Sequence, residues 1–579
     1  MTEHKRDYTV DRRLLGVSSL ALVVGAVSSL SALVLVELIH LFTNLFFFHT
    51  VSLANRSPAQ NQLGPWVVFV PVAGGLIVGL MARFGSERIR GHGIPEAMET
   101  ILYGKSKMSP RVAALKPLSS GIVIGSGGPF GAEGPIIMTG GSLGSLIAQY
   151  FHLTAVERKT LLVAGACAGM TAIFNTPLAA LLLAVELLLF ELRPRSLMPV
   201  ALACAVAGFV RPWLMGSGAW FPLHTDPPTT VALMSCIAAG LISAVLAIIL
   251  TAALYRTEDW FAALKVHWMW WPAIGAVAVG IGGYFQPRAL GVGYDVIGDL
   301  LRNHLAMTAV LALLAVKAVI WIAALGSGTS GGILAPVLML GAGAGIIVSP
   351  WLPGGSPSLW ALVCMSGVLG SLLGAPLTAI VFAVGLTHDP DAILPLLLTT
   401  AVAYGLTTLT LKRSIMTEKI ARRGLHVLRE YGLDPLETQH VSDVMNTRLV
   451  TIDAALSADQ ALARYFGADQ RFRAYPVVDG ERLVGLLERA AFGADAGVGR
   501  GDPARTCGDL ATPPDPQRVL LPQDSARFAA GRLAQGGMSR MAVVSDLASM
   551  RLVGLVALPD LVAASRQIFE EETVRERLR

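Results

Sequence analysis

Between Leu14 and about Leu411 the chain runs through one apolar segment after another, and most are interrupted by Gly or Pro too often to be simple membrane spans. Pro65–Met81, Leu118–Ile147, Leu161–Thr171, Ile173–Leu192, Leu334–Val348, Leu359–Leu373 and Ala375–Leu386 all carry such breaks inside them or at their edges. Irregular backbone at membrane depth survives only where it is buried in protein or lines a water-filled cavity, because lipid offers it no hydrogen-bond partner. The breaks therefore point to a permeation path. Composition agrees: 53% of the residues are hydrophobic and 15% charged, against roughly 25% charged in soluble domains. Charge returns to soluble density from Lys412 onward, which divides the chain near residue 425 into a membrane domain, 1–425, and a soluble tail.

The first apolar segment, Leu14 to Phe48, follows MTEHKRDYTVDRR and is far longer than the core of a secretory signal, so it reads as a long tilted helix that stays in the mature protein. Lys and Arg crowd this N-terminus and the exit KRSIMTEKIARR (Lys412–Arg423), and positive residues favour the cytoplasmic side. Both termini are then cytoplasmic, in the inner membrane of a bacterium. Cys167, Cys204, Cys236, Cys364 and Cys507 share no metal-ligand spacing and form no disulfide framework. The net charge of +5 sits at membrane edges without interleaved aromatics, which fits lipid headgroups and gives no nucleic-acid surface.

Two stretches align without gaps at an offset of 201: GSGGPFGAEGPIIMTGGSLG (Gly125–Gly144) and GSGTSGGILAPVLMLGAGAG (Gly326–Gly345). A second pair follows in the same order, NTPLAALLLAVEL (Asn175–Leu187) against GAPLTAIVFAVGL (Gly374–Leu386). The membrane region is thus a duplication, with copies over approximately 60–215 and 229–411, either parallel or inverted. Duplications that carry discontinuous helices put their substrate site near the bilayer midplane, where half-helices meet.

A glycine turn followed by Pro and an apolar run reads as a helix N-terminus, since Pro is tolerated in the first turn. Three such turns stand out: GHGIP (Gly91–Pro95), GAEGP (Gly131–Pro135) and GGILAP (Gly331–Pro336). Free N–H groups and the positive dipole end favour an anion at each, with no buried Lys or Arg required. Glu133 is itself an anion and can occupy such a site, leaving when a permeant anion arrives or when it is protonated. The alternative is a carboxylate that merely caps its helix; an ionisable residue inside a duplicated membrane region favours the gate.

These residues resemble the CLC family of chloride channels and chloride/proton antiporters. GHGIPE is similar to the family's GSGIPE, GAEGP to its G-(Lys/Arg)-E-G-P, GGILAP to G-x-F-x-P, and FNTPLAALLLAVE (Phe174–Glu186) to the segment that follows. The resemblance implies a polytopic all-α membrane protein built as an inverted repeat of broken, tilted helices, a homodimer with one pore per subunit, and anion coordination by main-chain amides. It assigns the gate to Glu133 and anion contacts to His92, Gly93, Ile94, Ala132, Gly134, Ile333, Leu334 and Met416. Five positions depart from the family pattern, among them Ala132, which stands where the family has Lys or Arg, and Leu334, where it has Phe. His92 replaces a pore Ser, Met416 a pore Tyr, and Leu187 the glutamate of proton-exchanging members, with Glu186 just before it as a candidate relay or a structural ion-pair partner. His92 is either a switchable donor, its free pKa being about 6.5, or a neutral, hydrogen-bonded imidazole.

The tail repeats a strand, a polar turn, L-V-G-L and a helix start in RAYPVVDGERLVGLLERAAF (Arg473–Phe492) and RMAVVSDLASMRLVGLVALPDLV (Arg540–Val562). It resembles a tandem CBS pair, a small cytoplasmic α/β domain, at 436–500 and 505–568. Such pairs often take adenine nucleotide on a hydroxyl and an Asp after this unit. Here the second copy has Ala557 with Asp560 and the first has Glu488 with Ala491, so Asp560 alone remains as a nucleotide contact, or else simply begins a helix. No cofactor is required by the membrane domain. The chain reads as a transporter of chloride or a similar monovalent anion, channel-like or weakly proton-coupled, with a chloride/proton antiporter using Glu186 or water as the alternative. Neither a nucleophile with its base nor an H-E-x-x-H set occurs in the membrane region, so an enzyme is not implied.

Overall fold

Several helices start with proline, at Pro110, Pro177, Pro194, Pro357 and Pro376. The computed structural model describes residues 12–425, 427, 436, 439–467, 474–492, 505–515 and 518–562. The basic stretch before Arg12 and the segments 493–500 and 563–568 of the tail repeats lie outside the described residues. Two compact units divide between Tyr431 and Gly432.

The first unit holds two successive sets of eight helices. The first set is α1 (Arg13–Phe48), α2 (Phe69–Phe84), α3 (Ile94–Tyr103), α4 (Pro110–Gly125), α5 (Glu133–Gln149), α6 (Ala155–Phe174), α7 (Pro177–Leu183) and α8 (Pro194–Met215). The second is α9 (Thr230–Ala263), α10 (Trp271–Phe285), α11 (Tyr294–Leu301), α12 (Met307–Gly326), α13 (Leu334–Val348), α14 (Pro357–Leu373), α15 (Pro376–Thr387) and α16 (Ile393–Thr410). A short α17 (Ile415–Ala421) follows. Lengths match in order: α1 has 36 residues and α9 has 34, and the short third members α3 and α11 have 10 and 8. The first copy therefore starts at α1, upstream of the boundary near residue 60 that the motifs suggested, because α1 and α9 share length and apolarity but no motif. A 36-residue helix spans about 54 Å, far beyond a hydrocarbon core of about 30 Å, so α1 crosses obliquely. Seven helical stretches in the described residues are long and apolar enough to cross a membrane.

In each copy a helix stops, seven residues run as irregular backbone, and a new helix starts: α4 to α5 in the first, α12 to α13 in the second. The two irregular stretches pair with each other. Gly131 N–H donates to Gly332 O at 3.1 Å and Gly332 N–H to Gly131 O at 2.9 Å, an antiparallel bridge between residues that occupy the same place in the two copies. A local two-fold axis passes between them. The bridge also satisfies backbone groups that lipid would leave unpaired.

The turns before α3 and α11 are held alike. Lys116 of α4, fully buried, donates to Ile89 O and Gly91 O, both at 2.8 Å, and to Ser330 Oγ at 3.0 Å. Lys317 of α12, equally buried, donates to Ala289 O and Gly291 O, both at 2.9 Å. Each lysine gathers the carbonyls of a turn whose glycines carry positive φ, Gly91 and Gly93 in one copy and Gly291 and Gly293 in the other. After Leu183, α7 continues as a π-helical turn over Ala184–Leu189 and ends at Phe190 in the left-handed region.

The second unit contains two three-stranded sheets of one topology. In the first, β1 (Ile452–Asp453) runs parallel to β2 (Ala474–Asp479), which pairs antiparallel with β3 (Arg482–Glu488). In the second, β4 (Val519–Leu520), β5 (Arg540–Val544) and β6 (Leu552–Ala557) repeat the pattern, and both sheets bulge at the same place, Val477/Val478 and Val543/Val544. Arg482 bridges Arg551, again an antiparallel pairing of equivalent residues. The copies also exchange edges: Asn446 pairs with Leu555, and Leu486 with Thr512.

Candidate functional site

Ala132 precedes α5 and Glu133 is its first residue, so the acid stands where helix N–H groups have no intrahelical acceptor. The Glu133 side chain is fully buried. Its Oε1 accepts from the Tyr294 hydroxyl at 3.1 Å. The main chain of Glu133 itself and of Ala335, in the first turn of α13, also faces the carboxylate. Oε2 has no hydrogen-bond partner among the described residues. Glycine on both sides makes the room: a Cβ at Gly131 would fall inside the carboxylate, and one at Gly332 would lie 2.8 Å from Oε2. The amides of Gly134, Ile333 and Leu334 stand at the same two helix starts, α5 and α13, whose positive ends converge on this acid.

His92 lies before Gly93, whose φ of 95° turns the chain into α3. The His92 carbonyl packs where a Cβ of Gly134 would stand, so the starts of α3 and α5 touch through glycine. Nδ1 of His92, a residue only 4% exposed, has no partner among the described residues. The Gly93 amide, expected to face an anion, instead donates to Glu96 Oε2 at 2.9 Å. That leaves Ile94 as the α3 amide in question. Glu96 also pairs with Lys419 of α17, which ties α17 to α3. Met416 is fully buried in the first turn of α17. The Tyr255 hydroxyl donates to Ser414 O, at the start of α17, at 3.1 Å. His92 lines a cavity of about 530 Å³ whose walls carry Arg90, Glu96, Lys419 and Arg423.

Glu186 lies apart from this cluster. Its Oε1 accepts from the Leu377 amide at 3.1 Å and its Oε2 from the Thr378 amide at 2.7 Å, so both oxygens cap α15 of the other copy. It pairs with backbone amides there, in place of the side-chain ion pair weighed from the sequence. Leu187 beside it is fully buried. In the tail, Asp560 Oδ2 accepts from the Ala557 amide at 2.8 Å, the bond of a helix-starting acid.

Three residues were not singled out from the sequence: Tyr294, Lys116 and Lys317. A signal existed for each. Gly-x-Gly recurs at Gly91–Gly93 and Gly291–Gly293, and α4 and α12 each carry one lysine, at an offset of 201. An intramembrane lysine is a functional-site hypothesis by default.

Helix-start amides, an imidazole nitrogen without a partner among the described residues and one carboxylate at converging helix starts suit a small anion that competes with the carboxylate. Among the described residues no group of acids, His and Cys suits a metal. A family model described as "Voltage gated chloride channel" matches residues 74–408, and one described as "CBS domain" matches 441–491. The "Putative chloride channel protein ClcB-like" of Ralstonia nicotianae is 28% identical over 378 residues, covering 63% of this chain and 88% of that protein. The "H(+)/Cl(-) exchange transporter ClcA" of Vibrio campbellii is 27% identical over 379 residues, covering 61% and 79%. Among solved structures, a slow cyanobacterial Cl−/H+ antiporter superposes with a TM-score of 0.64 at 21% identity, over 72% of this chain and 99% of that one. A eukaryotic CLC transporter does so with a TM-score of 0.60 at 17% identity, over 94% and 98%. The fold is thus that of CLC proteins with a CBS region, an inverted repeat in the membrane. With the family model matching more than half of its length, the chain belongs to the voltage gated chloride channel (CLC) family.

Proposed function

We propose that this integral, multi-pass transport protein carries chloride, or a monovalent anion of similar size, and that Glu133 is its gate. The observation that carries this reading is the position of the Glu133 carboxylate, buried at the start of α5 beside the first turn of α13, in a cradle that only glycine at 131 and 332 leaves open. An ionised carboxylate there occupies the place of an anion. Protonation, or competition by the permeant anion, releases it. His92, Ile94, Ala132, Gly134, Ile333, Leu334 and Met416 surround the path, with the His92 imidazole as a donor beside the α3 start. The helices α7, α8, α15 and α16 expose Leu178, Phe209, Leu377 and Leu397, and we assign this apolar side to a homodimer contact within the bilayer. Both termini lie on the cytoplasmic side of a bacterial inner membrane, consistent with the basic residues of the Lys412–Arg423 exit.

On coupling, the relatives' names divide between channel and exchange transporter. The engagement of both Glu186 oxygens by α15 amides favours weak or absent proton coupling, because a relay carboxylate has to exchange its partners. Anion flux from liposomes across a pH series tests the gate: Glu133→Gln removes the pH dependence of flux. Wild-type rate and pH profile in that variant would sink the assignment. A chloride gradient that drives protons uphill at a fixed ratio would instead establish the antiporter.

A further inference from the structure

The starts of α3 and α11 are equivalent elements, each set by a Gly-x-Gly turn and a buried lysine, yet they present different chemistry. The α3 start brings His92 to the cavity on the α17 side. The α11 start brings Tyr294, its first helical residue, to the gate. The residue in the place of Tyr294 in the first copy is Ile94, which has no polar group.

The tyrosine is fixed on three sides. Gly293, with φ 77°, aims the first turn of α11, and Lys317 holds the turn before it through the carbonyls of Ala289 and Gly291. The ring packs edge-on against Phe174 at 6.1 Å and beside Trp220 at 4.8 Å. Trp220 is itself anchored by its indole N–H to Ile173 O at 2.7 Å. Ring packing alone calls for no hydroxyl; the hydroxyl is spent on Glu133.

We propose that Tyr294 is a positioning residue that holds the Glu133 carboxylate in the closed position from the α11 side. This rests on Glu133 being the gate. A phenol O–H donated to a carboxylate is a charge-assisted bond, stronger than a neutral one. It favours the seated, ionised gate over one swung out or protonated. The copy that lacks an acid at its own half-helix, with Leu334 opposite Glu133, thus contributes the hydroxyl that restrains the acid of the other copy.

The test is anion efflux from liposomes for wild type, Tyr294→Phe, Glu133→Gln and the double variant. Tyr294→Phe keeps the ring and removes the latch, and flux under conditions where wild type is mostly closed rises on the order of ten- to a hundredfold, the weight of one charge-assisted hydrogen bond. In the Glu133→Gln background the same change adds nothing. Unchanged or lowered flux in Tyr294→Phe, or an equal rise on top of Glu133→Gln, overturns the proposal, since a merely structural role would act in both backgrounds. Chloride calorimetry on the purified variants identifies a misfolded sample: a folded Tyr294→Phe binds chloride at least as tightly as wild type, and weaker binding in a monodisperse sample also counts against the latch. If Glu133→Gln itself leaves flux unaltered, the gate reading fails; if it raises flux while Tyr294→Phe does not, only the latch fails.

Discussion

The membrane unit and the tail are both duplications stitched by an antiparallel bridge between equivalent residues, Gly131 with Gly332 and Arg482 with Arg551. They have diverged in opposite ways. Across the membrane bridge the copies differ at three positions of the candidate site: Glu133 against Leu334, His92 against Val292, Ile94 against Tyr294. Across the tail bridge RLVGLLE faces RLVGLVA, which share five of seven residues, and Glu488 against Ala557 and Ala491 against Asp560 are among the differences, at the start of the helix that follows. Symmetric scaffolding with asymmetric lining gives a path an inside and an outside. Symmetric scaffolding with nearly symmetric lining gives a platform without a direction. Divergence at the two-fold, more than the duplication itself, distinguishes the candidate site of the membrane unit from the tail.

The sharpest way to break that comparison is at the two lysine clamps, which the membrane copies share. Lys116 has three acceptors and Lys317 two, so Lys116→Met strands more buried polar groups than Lys317→Met. Each stranded carbonyl or hydroxyl costs about 1–3 kcal/mol. Thermal unfolding in detergent should therefore rank wild type above Lys317→Met above Lys116→Met; a reversed order would mean that the clamps have diverged as far as the lining. A smaller effect follows at Glu186. Glu186→Ala frees the α15 amides and costs about 1 kcal/mol, as for lost helix caps, while proton movement stays as in wild type. Wild-type stability with altered proton movement would restore Glu186 as a relay. The smallest effect is in the tail, where Asp560→Ala costs at most about 1 kcal/mol and leaves an ATP titration of the full chain unchanged. Binding of ATP to wild type that the substitution abolishes would give the tail its own asymmetric site.

Much of the architecture was legible because glycine and proline mark breaks wherever the surrounding run is apolar. The GSG pair and the PLxA pair exposed the duplication, and Glu133 stood out as an acid in such a run. What stayed hidden depended on partners far along the chain. Nothing local in AVEL says that Glu186 meets amides of Leu377 and Thr378. Nothing local in GVGYD says that its tyrosine reaches Glu133, since the turn shares only its two glycines with GHGIP. The Gly93 amide was read as open because the Glu96 that occupies it sits in the same helix turn, where a capping acid and a neutral spectator look alike. In the tail, strand, turn and helix start were visible from alternation, whereas the exchange of edges between copies was not.

The glycine bridge leaves a constraint on how such a gene can change. Any single-base change that turns either glycine codon into one for alanine adds a methyl group against the Glu133 carboxylate, even though Gly332 is encoded some two hundred codons away. The two halves are therefore not free to drift separately at this point. A substitution in the second half is read out as a fault in the first, and at 332 an added methyl group also meets the Gly131 carbonyl at 2.5 Å, so shortening the acid at 133 does not make room for it.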